Sequence, residues 1–235
     1  MLIQTKIFNN YKKAYIKNLP QRDLLDVAVM LSAGIDSVAL AHFVCTNKKF
    51  IAKLFTVKDV NVKLYHFNHK LRNQNDIMEQ RAVELAEYLN TEINVCKATE
   101  ECTSEQKARV QRFKYFKDFK GVILTAHHMN DCVESYLMNV LRGHEDRQPI
   151  PFITRMDDAY IAHLLLFTEK EVLKDYVTSY DLNRFVEEDE TNTVIKGSRR
   201  NLIRQQLIPM LQQNDIVLNK TVYKKMETKL QKLYA

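Results

Sequence analysis

The chain has 235 residues, 46% of them hydrophobic, and a formal net charge of +6. This length and composition predict one large domain with a substantial core, or one domain with a small appendage. No apolar run approaches the ~18 residues of a membrane span, and the N-terminus lacks the long apolar centre of a signal peptide. The sequence therefore predicts a soluble, cytoplasmic protein that does not contact a membrane.

Cysteine usage and the distribution of charge narrow the class of protein further. The four cysteines are widely spaced and form no CxxC pair, which argues against a disulfide framework or a zinc site. Basic residues cluster in three stretches, at 107–120, 196–204 and 220–232. Solvated surface lysines are one explanation of such clusters, but the arginines among them favour a polyanionic partner.

Apolar runs alternate with amphipathic segments along most of the chain. After a helical segment that ends at about Pro20, strands are predicted at 25–31, 60–67, 92–96 and 121–125. Helices are predicted at 36–47, 76–89 and 131–141, together with a basic helix capped by Thr103 or Ser104. Repeated strand–helix units of this kind predict an α/β fold, in which a parallel sheet carries helices on both faces.

The last third of the chain is less regular. Residues 144–151 are typical of an exposed loop, and a further strand is predicted at 160–167. Helices are predicted at 169–180, at 198–211 with a break at Pro209, and over the basic last twenty or so residues. We therefore divide the chain into an N-terminal helical segment (1–20), an α/β domain (21–167) and a helical, basic C-terminal region (168–235).

The turn between the first strand and the first helix carries candidate ligand-binding residues. Ligands of parallel sheets bind beyond the carboxyl ends of strands, where a helix N-terminus offers free N–H groups to an anion. Ser32 and Ser37 add hydroxyl donors, and Gly34 lets a ligand approach the backbone. A carboxylate repels phosphate, so Asp36 fits such a turn if it binds Mg²⁺ or orients the loop. The alternative is that Asp36 or Ser37 only caps the helix, and the spacing alone leaves both open.

Six segments of the chain resemble, in order, the motifs of the tRNA(Ile)-lysidine synthetases, which are PP-loop ATP-pyrophosphatases. As they stand in this chain they are SAGIDS (32–37), HFNHKLR (66–72), ARVQRFKYF (108–116), TAHHMNDCVES (125–135) with LRG (141–143), EDETN (188–192) and RNLIRQQLIP (200–209). The corresponding family patterns are SGGxDS, HxNHxLR, ARxxRYxxF, TAHHxxDxxET with LRG, EDxSN and RNxIRxxLxP. The resemblance extends over residues 25–211. It implies a Rossmann-like fold of the adenine nucleotide alpha hydrolase type.

The resemblance also implies an ATP-dependent ligase. Members of this family activate C2 of the wobble cytidine of tRNA(Ile) with a CAU anticodon, and then displace AMP with the ε-amine of L-lysine. The implied ligands are ATP, Mg²⁺, L-lysine and the tRNA, and a homodimer is compatible with the sequence. Such a reaction needs a cradle for pyrophosphate, a metal ion, a carboxylate site for the amine and a basic surface for tRNA.

The matching positions imply roles for individual residues. The implied ATP-binding residues are Ser32, Ala33, Gly34, Ile35, Asp36 and Ser37, with Asp36 also the Mg²⁺ ligand. The implied catalytic residues are Asp36, Arg112, His127 and Asp131, and the implied lysine-binding residues are Asp131 and Glu134. The positions implied to contact tRNA or nucleotide are Arg109, Arg142, Arg200, Asn201 and Arg204.

Two of these groups also have plainer explanations. His127, Asp131 and Glu134 are spaced i, i+4 and i+7, which places them on one face if the helix already begins near His127. An ordinary surface salt-bridge stripe is the alternative for that face. The segment 200–204 is expected to contact ATP or the cytidine, and it can at the same time pack on the domain through apolar residues such as Leu202.

Three features depart from the family patterns. Ala33 stands where glycine is usual, and its methyl group either narrows the approach to the pyrophosphate or is accommodated. The segment HEDRQPIPF after Gly143 lacks the further glycines of the family's loop, and His163 replaces an arginine. Two alternatives to the ligase stay open: a non-catalytic or differently specific tRNA-binding PP-loop protein, and another PP-loop enzyme that modifies tRNA cytidine. The sulfur-inserting relatives usually use paired cysteines, which this chain lacks.

Overall fold

The computed structural model of the protein describes residues 12, 19, 23–68, 74–98, 115, 116, 118–187 and 198–234. Three predicted features lie outside these residues: most of the N-terminal helix, the basic helix with Arg109 and Arg112, and the EDETN segment. The division of the chain at residues 20 and 167 stays a prediction.

Six strands form one sheet in the order β3-β2-β1-β4-β6-β5. The strands are β1 (Leu24–Met30), β2 (Asp59–Asn68), β3 (Ile93–Lys97), β4 (Val122–Leu124), β5 (Ile153–Met156) and β6 (Ala159–Ala162). Neighbouring strands are parallel except for β5 and β6, which form an antiparallel hairpin. The α/β class with a mainly parallel sheet, predicted from the alternation of strands and helices, is confirmed.

Helices connect and cover these strands. They are α1 (Ile35–Thr46), α2 (Lys48–Phe55), α3 (Gln74–Tyr88), α4 (Met129–Val140), α5 (Lys170–Ser179), α6 (Arg199–Leu202), α7 (Ile208–Gln213) and α8 (Leu218–Tyr234). A 3₁₀ turn lies at Asn183–Phe185, and a π-helical turn at Ile203–Leu207 joins α6 to α7. Helix α2 is absent from the sequence predictions. Across the described ranges, no helix combines the length and the apolar character that crossing a membrane requires.

The central strands divide the core into two layers, because successive side chains of a strand point to opposite faces. Val27 and Val29 of β1 belong to the larger cluster, to which α1, α4, α5 and α8 contribute buried residues. Ala28 belongs to the second cluster, with Phe116 and Ile123. Helices α5 and α8 therefore share one hydrophobic core with the sheet.

Two predictions near β6 are corrected by the structure. The strand predicted at 160–167 ends at Ala162, and beyond it Leu165 makes only an isolated bridge with His128. These apolar residues are buried beyond the ladder, which is why the run reads as a longer strand. The segment before β6, for which no strand is predicted, ends in strand β5. Strands β5 and β6 pair as a hairpin, and Asp157 in the turn between them has φ +50°.

The helix predicted at 198–211 is not broken at Pro209. Proline has no N–H, so it removes one α-helical hydrogen bond from the turn before it. The chain adopts π-helical bonding at Ile203–Leu207 and continues as α7 to Gln213. The result is a locally widened helix whose first residues reach the carboxyl edge of the sheet.

The order of the strands reverses between β1 and β4. The chain passes from β1 to β2 on one side, whereas β4 lies on the other side of β1, with Val29 opposite Leu124. Ligands of open parallel sheets bind at such a switch point, beyond the carboxyl ends of the two strands. The turn that follows β1 and the segment that follows β4 meet there.

Candidate active site

The turn after β1 is held by two serine hydroxyls. Ser37 Oγ donates to the carbonyl of Gly34 at 2.8 Å and accepts from the N–H of Ser32 at 3.1 Å. Ser32 Oγ lies 3.1 Å from Ser37 Oγ and accepts from the N–H of Gly34 at 3.4 Å. Gly34 is the N-cap of α1, and no side chain caps the helix. The alternative that Asp36 or Ser37 serves only as a helix cap is therefore wrong.

Ala33 has a left-handed backbone, with φ +61°. Glycine adopts this region without steric cost, whereas an L residue such as alanine pays for it. The residue is fully buried and its carbonyl accepts from the N–H of Glu187 at 2.9 Å, so the methyl group packs against protein. Of the two outcomes left open, the structure favours accommodation of the methyl group, with a cost in backbone conformation.

Gly34 has an ordinary extended backbone with φ −70°. A methyl group built on it would meet nothing closer than Ser32 Oγ at 3.5 Å, which is normal van der Waals contact. Neither backbone conformation nor internal packing therefore requires glycine at this position. Because Gly34 has no side chain, the space beside its Cα is open. This agrees with the prediction that a ligand can approach the backbone closely at Gly34.

Asp36 presents an unusual carboxylate. Its Oδ2 lies 3.4 Å from His128 Nε2, whereas its Oδ1 is buried without a hydrogen-bond partner in the described part of the chain. A buried carboxylate oxygen without a donor is costly. Within the described residues no group of three or more His, Cys, Asp or Glu side chains is arranged to hold a metal. One carboxylate oxygen together with substrate phosphates is, however, a usual environment for Mg²⁺, so Asp36 fits this ion.

Helix α4 begins two residues before the predicted start at Asp131, but after the start near His127 that the shared helix face requires. It starts at Met129, with His128 as N-cap: His128 Nδ1 accepts from the N–H of Asn130 at 3.2 Å, and Asp131 Oδ2 accepts from the N–H of His128 at 3.0 Å. His127 therefore does not share a helix face with Asp131 and Glu134. The histidine that bridges the loop of α1 and helix α4 is His128, which lies 3.6 Å from Asp131 Oδ2. A capping-box pattern around His128 was the available sequence signal.

His127 instead belongs to a cluster that the sequence interpretation missed. Thr125 Oγ1 lies 2.7 Å from His127 Nδ1 and 2.6 Å from His163 Nδ1, and the two rings are perpendicular with centroids 4.9 Å apart. One hydroxyl has one proton to donate, so at most one of these two nitrogens accepts from it. Thr125 Oγ1 thus links His127 to His163, which stands where the family has an arginine.

Four charged residues form a compact group beside Asp36. Glu134 Oε1 accepts from Arg204 Nε at 2.6 Å, and its Oε2 accepts from Arg200 Nε at 2.7 Å and from Arg204 Nη2 at 2.9 Å. Asp131 Oδ1 accepts from Arg200 Nη2 at 3.0 Å. The residues implied to bind lysine and those implied to contact nucleotide are therefore paired with one another.

The charges of this group shift the pKa values of its members. Burial lowers the pKa of His128, but the hydrogen bond to Asp36 and the negative charges of Asp131 and Asp36 outweigh burial, so the pKa is raised. Burial raises the pKa of Asp131, but the charges of His128, His127 and Arg200 outweigh it, so the pKa is lowered. The hydrogen bond to Glu134 raises the pKa of Arg204. The site thus favours an ionised Asp131, whereas the acceptor role of His128 Nδ1 places the ring proton on Nε2, which faces Asp36.

The remaining implied residues lie elsewhere. Arg142 follows α4 at eleven positions from Asp131, about 16 Å along the helix direction, and is exposed. The N–H of Asn201 donates to Ser198 Oγ, the N-cap of α6. Leu202, the last residue of α6, is exposed, whereas Ile203 in the π-helical turn that follows is buried. Arg109 and Arg112 lie outside the described residues.

Known proteins are similar to this chain in sequence and in fold. The profile of the PP-loop domain family matches residues 3–211. The tRNA(Ile)-lysidine synthases of Clostridium perfringens and Lactococcus lactis subsp. lactis are 31% and 33% identical over 84% and 80% of this chain. These matches cover 44% and 42% of those enzymes, so the chain spans less than half the length of the curated relatives. A solved U34-tRNA thiolase of Methanococcus maripaludis has a TM-score of 0.64 at 13% identity, covering 96% of this chain and 80% of that one, which shows a shared fold.

Proposed function

Because the chain belongs to the PP-loop family, we propose that it adenylates the wobble cytidine of tRNA(Ile) with a CAU anticodon and ligates L-lysine to C2 of that base. The assignment of the six motifs to the PP-loop ATP-pyrophosphatases is confirmed at the level of the PP-loop domain family, which matches residues 3–211. One observation carries the proposal: His128 lies 3.4 Å from Asp36 of the serine turn and 3.6 Å from Asp131 of α4. A phosphate-binding turn and a candidate amine-binding carboxylate thus lie within one site.

The serine turn receives the phosphates of ATP in this proposal. Its outer side is open at Gly34, and the first N–H groups of α1 have no side-chain acceptor at the N-cap. Such N–H groups and the positive end of the helix favour an anion. Mg²⁺, when bound at Asp36 together with phosphate oxygens, supplies charge neutralisation of the pyrophosphate as it leaves.

The reaction then proceeds in two steps. The C2 oxygen of cytidine attacks the α-phosphorus of ATP, the bond from that phosphorus to the bridging oxygen breaks, and pyrophosphate leaves. The ε-amine of lysine then attacks C2, the bond from C2 to that oxygen breaks, and AMP leaves with the oxygen. The amine must first lose the proton of its ammonium form.

Asp131 is the residue that we assign to the lysine ammonium. It is ionised, since its pKa is lowered, and its two oxygens accept from one described donor each, Arg200 Nη2 and the N–H of His128. A carboxylate offers about four acceptor positions, so acceptor capacity remains on both oxygens. His127 lies close enough to Asp131 to influence the pKa of that carboxyl and is oriented through Thr125, so its neutral form is our candidate for accepting the amine's proton.

The tRNA surface that we propose is the exposed side of α8 with the loop after α4. Helix α8 carries five lysines and one acidic residue, and its apolar residues Val222, Met226 and Leu230 are buried in the core. Lys225 and Lys229 donate to carbonyls of the loop at 145 and 146, beside a surface depression of about 310 Å³ lined by residues 143–147. Because these three apolar side chains are buried, the exposed lysine-rich side of the helix fits phosphates rather than lipid.

The proposal is tested by measuring AMP release from ATP and Mg²⁺ with tRNA bearing a CAU anticodon, with and without L-lysine. Release that requires both lysine and tRNA is expected, and the Asp36→Asn variant is the inactive control. Tight tRNA binding without AMP release would support a non-catalytic tRNA-binding protein, and lysine-independent AMP release would point to another cytidine modification.

A further inference from the structure

We propose that Glu134 does not bind the substrate amine but is a positioning residue that orients Arg200 and Arg204 towards the polyphosphate of ATP. The proposal rests on the function proposed above. It reassigns one of the two carboxylates that the family resemblance implies for lysine.

The hydrogen bonds of Glu134 leave little room for an ammonium group. Both of its oxygens are engaged, and together they accept three guanidinium hydrogen bonds between 2.6 and 2.9 Å. Charge-assisted hydrogen bonds of this length are strong, and a carboxylate has about four acceptor positions. An incoming ammonium would therefore have to displace an arginine from Glu134.

Access separates the two carboxylates as well. The side chain of Glu134 is 3% exposed and that of Asp131 is 13% exposed, whereas those of Arg200 and Arg204 are 38% and 34% exposed. The arginines thus lie between Glu134 and solvent. A ligand that enters the site meets the guanidinium groups before it meets Glu134.

The two arginines lie beside the phosphate end of the site. Arg200 Nη2 and Arg204 Nη2 lie 3.0 and 3.6 Å from Asp131 Oδ1. The other oxygen of Asp131 is 3.6 Å from His128 Nε2, which lies 3.4 Å from Asp36 of the serine turn. Arg200 binds through Nε and Nη2, so its Nη1 carries two N–H donors that no described residue accepts. Arg200 and Arg204 both donate to Glu134 Oε2. Without the negative charge of Glu134 the two guanidinium groups would repel each other, so this carboxylate holds them in place. Fixed guanidinium groups beside a phosphoryl group stabilise the charge that develops during transfer.

The test separates the adenylation step from the use of lysine. For Glu134→Gln we expect at least a tenfold loss in ATP affinity, measured by titration of Mg²⁺–ATP in the absence of tRNA and lysine, and a similar loss in pyrophosphate release from ATP and tRNA. The KM for lysine should stay within threefold. The matched control is Glu84→Gln, which removes a half-buried glutamate paired with Arg81 on α3 and should change none of these values.

A Glu134→Gln variant that binds ATP normally but has a lysine KM raised tenfold would overturn the proposal, as would one with no change in either constant. Arg200→Lys is the second variant if Glu134→Gln fails to fold. It keeps the positive charge but loses the two-point contact, and the same loss of ATP affinity with an unchanged lysine KM is expected; normal ATP affinity would overturn the proposal. Because ATP titration needs no lysine transfer, a wild-type protein that binds ATP but transfers no lysine would refute only the proposed function.

Discussion

Replacing both Arg200 and Arg204 by glutamine should destabilise the protein more than replacing Glu134 by glutamine. The double substitution leaves the Glu134 carboxylate, 3% exposed, with no guanidinium donor. Breaking a buried pair so that one charge stays uncompensated costs about 3–5 kcal/mol. In Glu134→Gln the two arginines, each more than a third exposed, can turn to water. That loss should be only about 1–2 kcal/mol.

Urea denaturation followed by far-ultraviolet circular dichroism measures both losses, and tyrosine fluorescence checks two-state behaviour, because the chain has no tryptophan. The triple variant, in which Arg200, Arg204 and Glu134 are all glutamine, should recover about 2 kcal/mol relative to the double variant, because the buried charge is gone. A double variant as stable as Glu134→Gln, or no recovery in the triple variant, would refute this reasoning.

Three further predictions concern other residues. Asp36→Asn should lower AMP formation at least about 100-fold and change the midpoint of thermal unfolding by no more than ~3 °C, since Oδ1 bonds to no described residue; AMP formation near the wild-type rate would remove Asp36 from the site. Asp131→Asn should raise the KM for lysine about tenfold more than the KM for ATP, and equal changes would contradict the amine assignment. Burial lowers the pKa of His66 more than the hydrogen bond to Leu31 and the charge of Glu79 raise it. As the pH drops below ~6.5, the unfolded chain therefore takes up a proton at His66 before the folded chain does. The free energy of unfolding of the wild type, relative to that of His66→Gln, should fall over this range. Urea titrations of both proteins at several pH values measure this difference in free energy of unfolding, and a difference that rises as the pH drops would contradict the prediction.

The fold could be predicted where local patterns carry the information. Strand β1 and helix α1 follow from an apolar run, a turn of small residues and a second apolar segment, and the structure has them within one residue of the prediction. Strand β5 has only four residues and depends on its pairing with β6, so no local pattern announces it. Only Asn47 separates the end of α1 from the start of α2, which hides the boundary between the two helices.

The candidate site could be predicted only in part of its membership, and not in its pairing. The sequence resemblance indicates the serine turn, Asp131 and Glu134, but not His128, which caps α4 and lies 3.4 Å from Asp36. The bonds of Arg200 and Arg204 to Glu134 join residues 66 and 70 positions apart. Spacing along the chain does not reveal contacts between residues so far apart in the sequence.

The central claim is covalent attachment of lysine to cytidine, and the mass of the wobble nucleoside measures it directly. The tRNA is incubated with the protein, ATP, Mg²⁺ and L-lysine, digested to nucleosides and analysed by mass spectrometry. A wobble cytidine that has gained the elements of lysine less one water is the predicted product, absent with Asp36→Asn. An unmodified cytidine in a reaction that has consumed ATP, or one that has gained a different group, would contradict the claim.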